Sequence, residues 1–317
     1  MDEPADPVGE AGGGAHPPMV AARDCEPRRA GTRPGMTFFD GFELEHLDTG
    51  AATLRVRHGG DGPPVVLLHG HPRTHVTWHM VAPRLAHAHT VVCPDLRGYG
   101  KSEQVEPYTK RAVAGDIVGL MRRLGHERFS VVGHDRGALV ALRLALDHPD
   151  SVDRLVLLEG LPIVEHLERG DWRFAQAWWH WWFFAQREKP AERIIDADPD
   201  AWYTATAEHM GEEAFADYRE AIHDPGVVHA MLEDYRAGLR EDLEHERADR
   251  DAGRKIECPL LVGWALRDDT VDLYDDLLGI WRGWATDVRE ATIDCGHHMS
   301  EERPEELAAL LLDFLGS

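Results

Sequence analysis

Three short segments of this 317-residue chain carry side chains that could do chemistry together. The first is Gly133-His134-Asp135-Arg136-Gly137, which follows the apolar pair Val131-Val132 and leads directly into a helical pattern from Ala138 to Leu146. Glycines on either side of a central residue let a strand turn sharply into a helix, pushing the central side chain forward and aiming helix-terminal N–H groups at it. In the commonest form of this turn the central residue is serine, which needs a base to remove its proton. Here it is Asp135, and a carboxylate near its ordinary pKa is already ionised at neutral pH. Such a group can displace a leaving group from saturated carbon and become an alkyl ester. The competing role for Asp135 is as cap of the following helix. The strand-turn-helix context favours the nucleophile.

The second segment is His69-Gly70-His71-Pro72, directly after the apolar run Val65–Leu68. Backbone N–H groups of His71 and Arg136 could together hold the negative oxygen that develops when an ester carbonyl is attacked. The third is Cys295-Gly296-His297-His298, late in the chain, where the order nucleophile, acid, histidine places the base. His297 follows the flexible Gly296 and is the choice for the group that activates water against the ester. Two carboxylates could orient it: Glu159 after Val156-Leu157-Leu158, and Asp268 after Trp264-Ala265-Leu266-Arg267. Both sit where strands end on the same edge of a sheet, and the choice stays open on spacing alone. Histidine is abundant, with 20 residues, but no HExxH or comparable metal-ligand spacing occurs in a catalytic context, so neither a metal nor another cofactor is expected.

The elements that must hold these residues are legible as alternation. Runs at Val65–Leu68, Val91–Cys93, Phe129–Val132, Leu155–Leu158 and Leu260–Val262 are nearly continuously apolar, as strands covered on both faces are. Helical periodicity lies between them, at Lys110–Leu124 and Ala138–Leu146, and a closing helix runs from Pro304 to Leu315. The pattern predicts an α/β-hydrolase fold: a mostly parallel central sheet with helices on both faces. The rhythm breaks at residues 161–250, an aromatic-rich and apparently all-helical stretch, which is expected to form an inserted cap on a core of residues 36–160 and 251–317. Residues 1–35 hold six Gly, six Pro and no aromatic, the composition of a disordered extension, and the strand-like pattern begins only after Met36, at Phe38, Phe39, Phe42 and Leu44.

A formal net charge of −23 argues against nucleic-acid or anionic-membrane partners, because binding phosphate requires a basic face. The partner is expected to be a small molecule. Four cysteines without paired spacing, an acidic N-terminus and no long apolar run together predict a cytoplasmic protein.

The segments HGHPRTHVTWHMVAP, PYTKRAVAG, GHDRG, ALDHPDSV, WHWWFF, ADPDAWY and EDYRAG together resemble the haloacetate (fluoroacetate) dehalogenases, from Met36 to nearly the end of the chain. The resemblance implies that Asp135 displaces halide from a 2-haloacid while His180, Trp181 and Tyr235 hold the departing halide. It implies Glu159 as the acid on His297, where the family has Asp, with Asp268 as the second choice. It implies a homodimer, and Arg136 as a clamp on the substrate carboxylate. One departure matters: the family's second clamp arginine is replaced here by Leu139. Arg73, in the loop after His71, could supply the lost charge. Alternatively, Leu139 opens the pocket to a larger haloacid, a haloamide, a haloester or an epoxide. An epoxide hydrolase would use the same Asp, His and acid with two tyrosines, Tyr235 and either Tyr203 or Tyr218. A non-catalytic binding protein on the same fold is the remaining alternative.

Overall fold

The apolar runs become neighbours in one eight-stranded sheet. In the computed structural model, which describes residues 38–186 and 188–316, the strands are β1 (Glu43–Asp48), β2 (Thr53–Gly59), β3 (Pro64–Leu68), β4 (Thr90–Pro94), β5 (Phe129–His134), β6 (Val152–Leu158), β7 (Leu260–Ala265) and β8 (Val288–Ile293). Their spatial order is β1-β2-β4-β3-β5-β6-β7-β8. From β4 to β8 all pairs are parallel, and the first two strands add an antiparallel edge. The extension expected at residues 1–35, Cys25 and Met36 lie outside the described residues.

Strand residues alternate between two cores, as the two-residue period requires. Val66, Leu68, Val131, Leu155, Leu157 and Val262 face one apolar cluster, which continues into the helices Lys110–Arg123 and Arg136–Asp147. Val65, Leu67, Val132, Val156 and Leu158 face the other, filled by Trp78, Leu85 and the closing helix Pro304–Gly316 through Leu307, Leu311 and Phe314. Fully buried side chains of this size are each worth roughly 1.5–3 kcal/mol, so both faces of the sheet are strongly held. The pattern at Phe38–Leu44 behaves differently from expectation. Residues 38–41 form a turn, the strand starts only at Glu43, and Phe39 is buried in the second core. The aromatics there plug a core instead of alternating across a strand.

Between β6 and β7 the regular elements are all helical, from Ile163–Arg169 to Leu243–Asp251. The helix Pro225–Ala237 continues through one π-helical turn, Gly238–Asp242, into Leu243–Asp251. No helix among the described residues is long and apolar enough to cross a membrane.

Candidate active site

Asp135 stands at the tip of the turn between β5 and the helix Arg136–Asp147, with φ 52° and ψ −118°, a conformation that non-glycine residues rarely adopt. Its neighbours make that turn possible. A Cβ on Gly137 would collide with the backbone carbonyls of Leu68 and His69, and one on Gly70 with the Asp135 carboxyl itself. The Asp135 Oδ1 accepts a hydrogen bond from the His71 backbone N–H at 2.7 Å, and the Arg136 N–H also reaches the carboxyl. Two backbone donors therefore converge where negative charge would have to be held. Burial alone would raise the pKa of Asp135, but His297, His134 and the Arg136 N–H outweigh it and hold the carboxyl below its ordinary value.

His297 bridges Asp135 and the acids behind it. Its Nε2 lies 3.9 Å from Asp135 Oδ2, and its Nδ1 lies 2.8 Å from Asp268 Oδ2. Burial opposes a charge on the ring, yet Asp268 and Asp135 overcome it and raise the imidazole to about 10. Glu159 sits one residue beyond β6 with φ 48°, almost fully buried, and one of its oxygens accepts the Ala265 N–H. Of the two candidate acids, Asp268 bonds the histidine directly, and Glu159 stands behind it. This reverses the order that the resemblance implies. Asp268, in the turn after β7, is the acid that reaches the ring Nδ1. Glu159 also occupies the harder place for a charge: burial, then Asp268, push its carboxyl well above the ordinary range.

Side chains from the helices between β6 and β7 lie near enough to Asp135 to feel its charge, His180 and Tyr235 among them. The rings of His180 and Trp181 lie 5.7 and 5.9 Å from that of Tyr235, and His71 packs edge-on to Tyr235 at 5.1 Å. His180, Trp181 and Tyr235 are thus brought together. Burial keeps His180 down at about 4 and His71 at about 3, so both are neutral at pH 7, and it keeps the Tyr235 hydroxyl protonated. The guanidinium of Arg136 lies over Tyr235, 4.2 Å from the ring centre. Arg136 Nε donates to Asp234 Oδ2 at 2.6 Å and Nη2 to the Asp234 carbonyl at 2.9 Å, while Nη1 is buried and unbonded. Leu139, one turn further along the same helix, belongs to the apolar core.

Arg73 is elsewhere. Its Nε and Nη2 donate to Glu301 at 2.8 and 3.0 Å, and its guanidinium covers Tyr218 at 5.0 Å. The charge expected to replace the missing clamp is already committed to a buried partner, and Tyr218 is occupied with it. Tyr203 does reach the site, packing 5.5 Å from the His71 ring with its buried hydroxyl unbonded.

With this geometry described, comparison with known proteins decides the family. The α/β-hydrolase-fold family profile matches residues 63–304. This chain is an α/β-hydrolase. It is similar to a fluoroacetate dehalogenase from Burkholderia sp., at 38% identity over 87% of this chain and 95% of that protein. A soluble epoxide hydrolase from Corynebacterium sp. (strain C12) is 31% identical, over 80% of this chain and 91% of that one. Among solved structures, a candidate α/β-hydrolase from Nostoc sp. PCC 7120 superposes with a TM-score of 0.84 at 41% identity, covering 87% of this chain and 99% of its own.

Two further residues of this α/β-hydrolase, Lys110 and Asp234, adjoin the site without standing in any of its three motifs. Asp234 receives Arg136 and also the ammonium of Lys110, and the Lys110 backbone N–H donates to Asp242 at 2.9 Å. Asp234 lies one turn ahead of the π-helical turn and Asp242 is its last residue; such a distortion often accompanies functional sites. Lys110 and Asp234 both lie inside the quoted segments PYTKRAVAG and EDYRAG. Opposite charges in two such segments were the available signal. Ligand atoms of His134, His297 and His298, and of Glu159, Asp268 and His297, lie within 4.8 Å of one another, close enough for a cation. In both groups His297 is bonded through Nδ1 to Asp268, and His134 Nε2 bonds the His297 carbonyl at 2.7 Å.

Proposed function

We propose that this hydrolase cleaves the carbon–halogen bond of a small organohalide whose halogenated carbon adjoins a carbonyl or carboxylate, through an ester on Asp135. The observation that carries the reading is the gathering of His180, Trp181 and Tyr235 beside an ionised Asp135. Ring N–H and hydroxyl donors there would meet halide as it leaves. They gain strength as charge develops, so they favour the transition state over the ground state. The likeness to a fluoroacetate dehalogenase supports the same reading.

An oxygen of Asp135 attacks the carbon, the carbon–halogen bond breaks, and halide departs with the bonding pair. Arg136 offers its unbonded Nη1 to one oxygen of the substrate. With Asp234 already on the guanidinium, a neutral carbonyl compound fits as well as a carboxylate. Alkylation removes the negative charge of Asp135, one of the charges that keep His297 protonated. The imidazole then releases its proton to solvent and can take one from water. Water attacks the ester carbon, the oxyanion is held by the His71 and Arg136 N–H groups, and the ester C–O bond breaks. His297 returns the proton to the departing alkoxide, and Asp135 keeps one oxygen from water and passes the remaining proton to His297, which restores the resting pair.

A second reading is supported by Tyr203. Its packing with Tyr235 around His71 provides the pair of hydroxyls that an epoxide hydrolase would use to protonate an opening ring. His297→Asn should retain the first step and lose the second. Peptide mass after incubation with chloroacetate, chloroacetamide or styrene oxide reports what is trapped on Asp135. The dehalogenase reading expects the first or second compound to be captured. Capture of styrene oxide alone would replace that reading with the epoxide one.

A further inference from the structure

Two carboxyl groups stand behind His297, where one would be enough. Asp268 bonds the ring at 2.8 Å, and a Glu159 oxygen lies within 4.8 Å of both a carboxylate oxygen of Asp268 and a ring nitrogen of His297. Glu159 is 2% exposed. Its backbone N–H is fixed to the Gly263 carbonyl at 3.0 Å, one side-chain oxygen takes the Ala265 N–H, and the other is buried without a hydrogen-bond donor. Building on the reading that His297 serves Asp135, we propose that Glu159 is a neutral carboxylic acid at pH 7. It holds the charge behind His297 at one and replaces Asp268 as the ring's partner when Asp268 is lost.

The surroundings explain why the proton belongs to Glu159. Titratable groups reach this corner from three elements: His134 and Asp135 at the end of β5, Asp268 and Asp269 after β7, and Cys295, His297 and His298 after β8, burial keeping His298 neutral. Burial keeps His134 neutral, down at about 4, and the Cys295 thiol neutral, up at about 12. His297 is the cation among these groups, and Asp268 already has it. Two carboxylates cannot both ionise at such short range in a dry site, so the one without the cation keeps its proton. Burial and Asp268 raise Glu159, while His297 lowers Asp268. The consequence is chemical. His297 must give up its proton once Asp135 is alkylated, and a second full charge behind it would hold that proton in place. No charge at all would leave the ring without the partner that orients it. Glu159 is thus a positioning residue that acts through Asp268 and His297.

Carboxyl carbon NMR of protein labelled at glutamate tests this without any substrate. The Glu159 signal, identified by its loss in Glu159→Gln, should be that of a protonated acid at pH 7 in the wild type and should ionise at lower pH in Asp268→Asn. An ionised Glu159 at pH 7 in the wild type would overturn the proposal. Breakdown of the Asp135 ester after chloroacetate or chloroacetamide supplies the kinetic arm. Glu159→Gln should slow it by about 3-fold, Asp268→Asn by about 10-fold, and the double variant by about 1000-fold. Residual activity of Asp268→Asn should rise with pH as Glu159 ionises, and the double variant should lack that rise. Equal cost of Glu159→Gln in both backgrounds, or arrest by Glu159→Gln alone, contradicts the proposal. Absence of an Asp135 ester in every variant would instead defeat the covalent reading, and the NMR result would still stand.

Discussion

Asp135 and His297 form an ion pair at rest, and chemistry at one should change the proton on the other. The imidazole stands at about 10 because Asp268 and Asp135 both attract its charge, against the cost of burial. Asp135→Asn removes one of those charges and leaves Asp268 in place. The ring should then titrate at a lower pH than in the wild type, as followed by its proton NMR signals. An unchanged titration would mean that the two side chains are uncoupled and that alkylation cannot free the base. Asp135, His297 and the His71 N–H were legible as single positions because the flanking glycines and the chain order constrain where such residues can go. Which acid bonds His297 was not, since Glu159 and Asp268 both follow strands at the same sheet edge. The contact of Asp268 with the His297 Nδ1, seen only in the folded chain, separates them.

At the scale of elements, the loop after β3 is fastened to the end of the chain by a buried ion pair. Arg73 donates twice to Glu301, and the Thr77 hydroxyl donates to the same carboxylate at 2.8 Å. Removing one partner leaves a buried charge uncompensated, so Arg73→Ala or Glu301→Ala should cost about 3–5 kcal/mol, seen as a lower urea midpoint. The KM for chloroacetate should barely move in Arg73→Ala. A large rise in KM at unchanged stability would restore Arg73 as a substrate clamp. No local pattern betrays this pair, because its members are 228 residues apart. The same holds for Arg136 and Asp234, 98 apart. Strands were far easier to locate, since burial on both faces writes itself into consecutive residues. Phe38 and Phe39 imitated that signal because a core plug is apolar too.

Within the helical segment, Glu246 offers a second test. Its carboxylate oxygen accepts the Val164 N–H at 2.8 Å, joining the helices Leu243–Asp251 and Ile163–Arg169, and burial raises its pKa to about 8. An unfolded glutamate loses its proton near 4.3, so between there and about 8 the unfolded chain is ionised while the folded one is not. That difference lowers stability as pH rises through the window and then levels off. Glu246→Gln keeps an acceptor and cannot ionise. Its melting temperature relative to wild type should climb from pH 4.5 to 8 and stay level above. A difference independent of pH would show that Glu246 is ionised in the fold.

For the whole molecule, the net charge of −23 acts on any anion that approaches. Screening should therefore raise kcat/KM for chloroacetate as salt is added while leaving that for neutral chloroacetamide nearly flat. Parallel salt responses would mean that a local field, centred on Arg136, governs entry. Fold and family were legible across most of the chain, because the sheet and its elbow impose long-range order on short motifs. The setting of Arg136 was less so, since its bonds to Asp234, 98 residues away, are contacts that spacing does not reveal.

The central claim is that Asp135 becomes covalently bonded to substrate, and a single turnover in heavy-oxygen water tests it most directly. With enzyme in excess over chloroacetate or chloroacetamide, the peptide containing Asp135 should gain the heavy isotope, and the hydroxylated product should carry ordinary oxygen from the enzyme. Heavy oxygen in the product, with Asp135 unlabelled, would mean that water attacks the substrate directly and would contradict the ester mechanism.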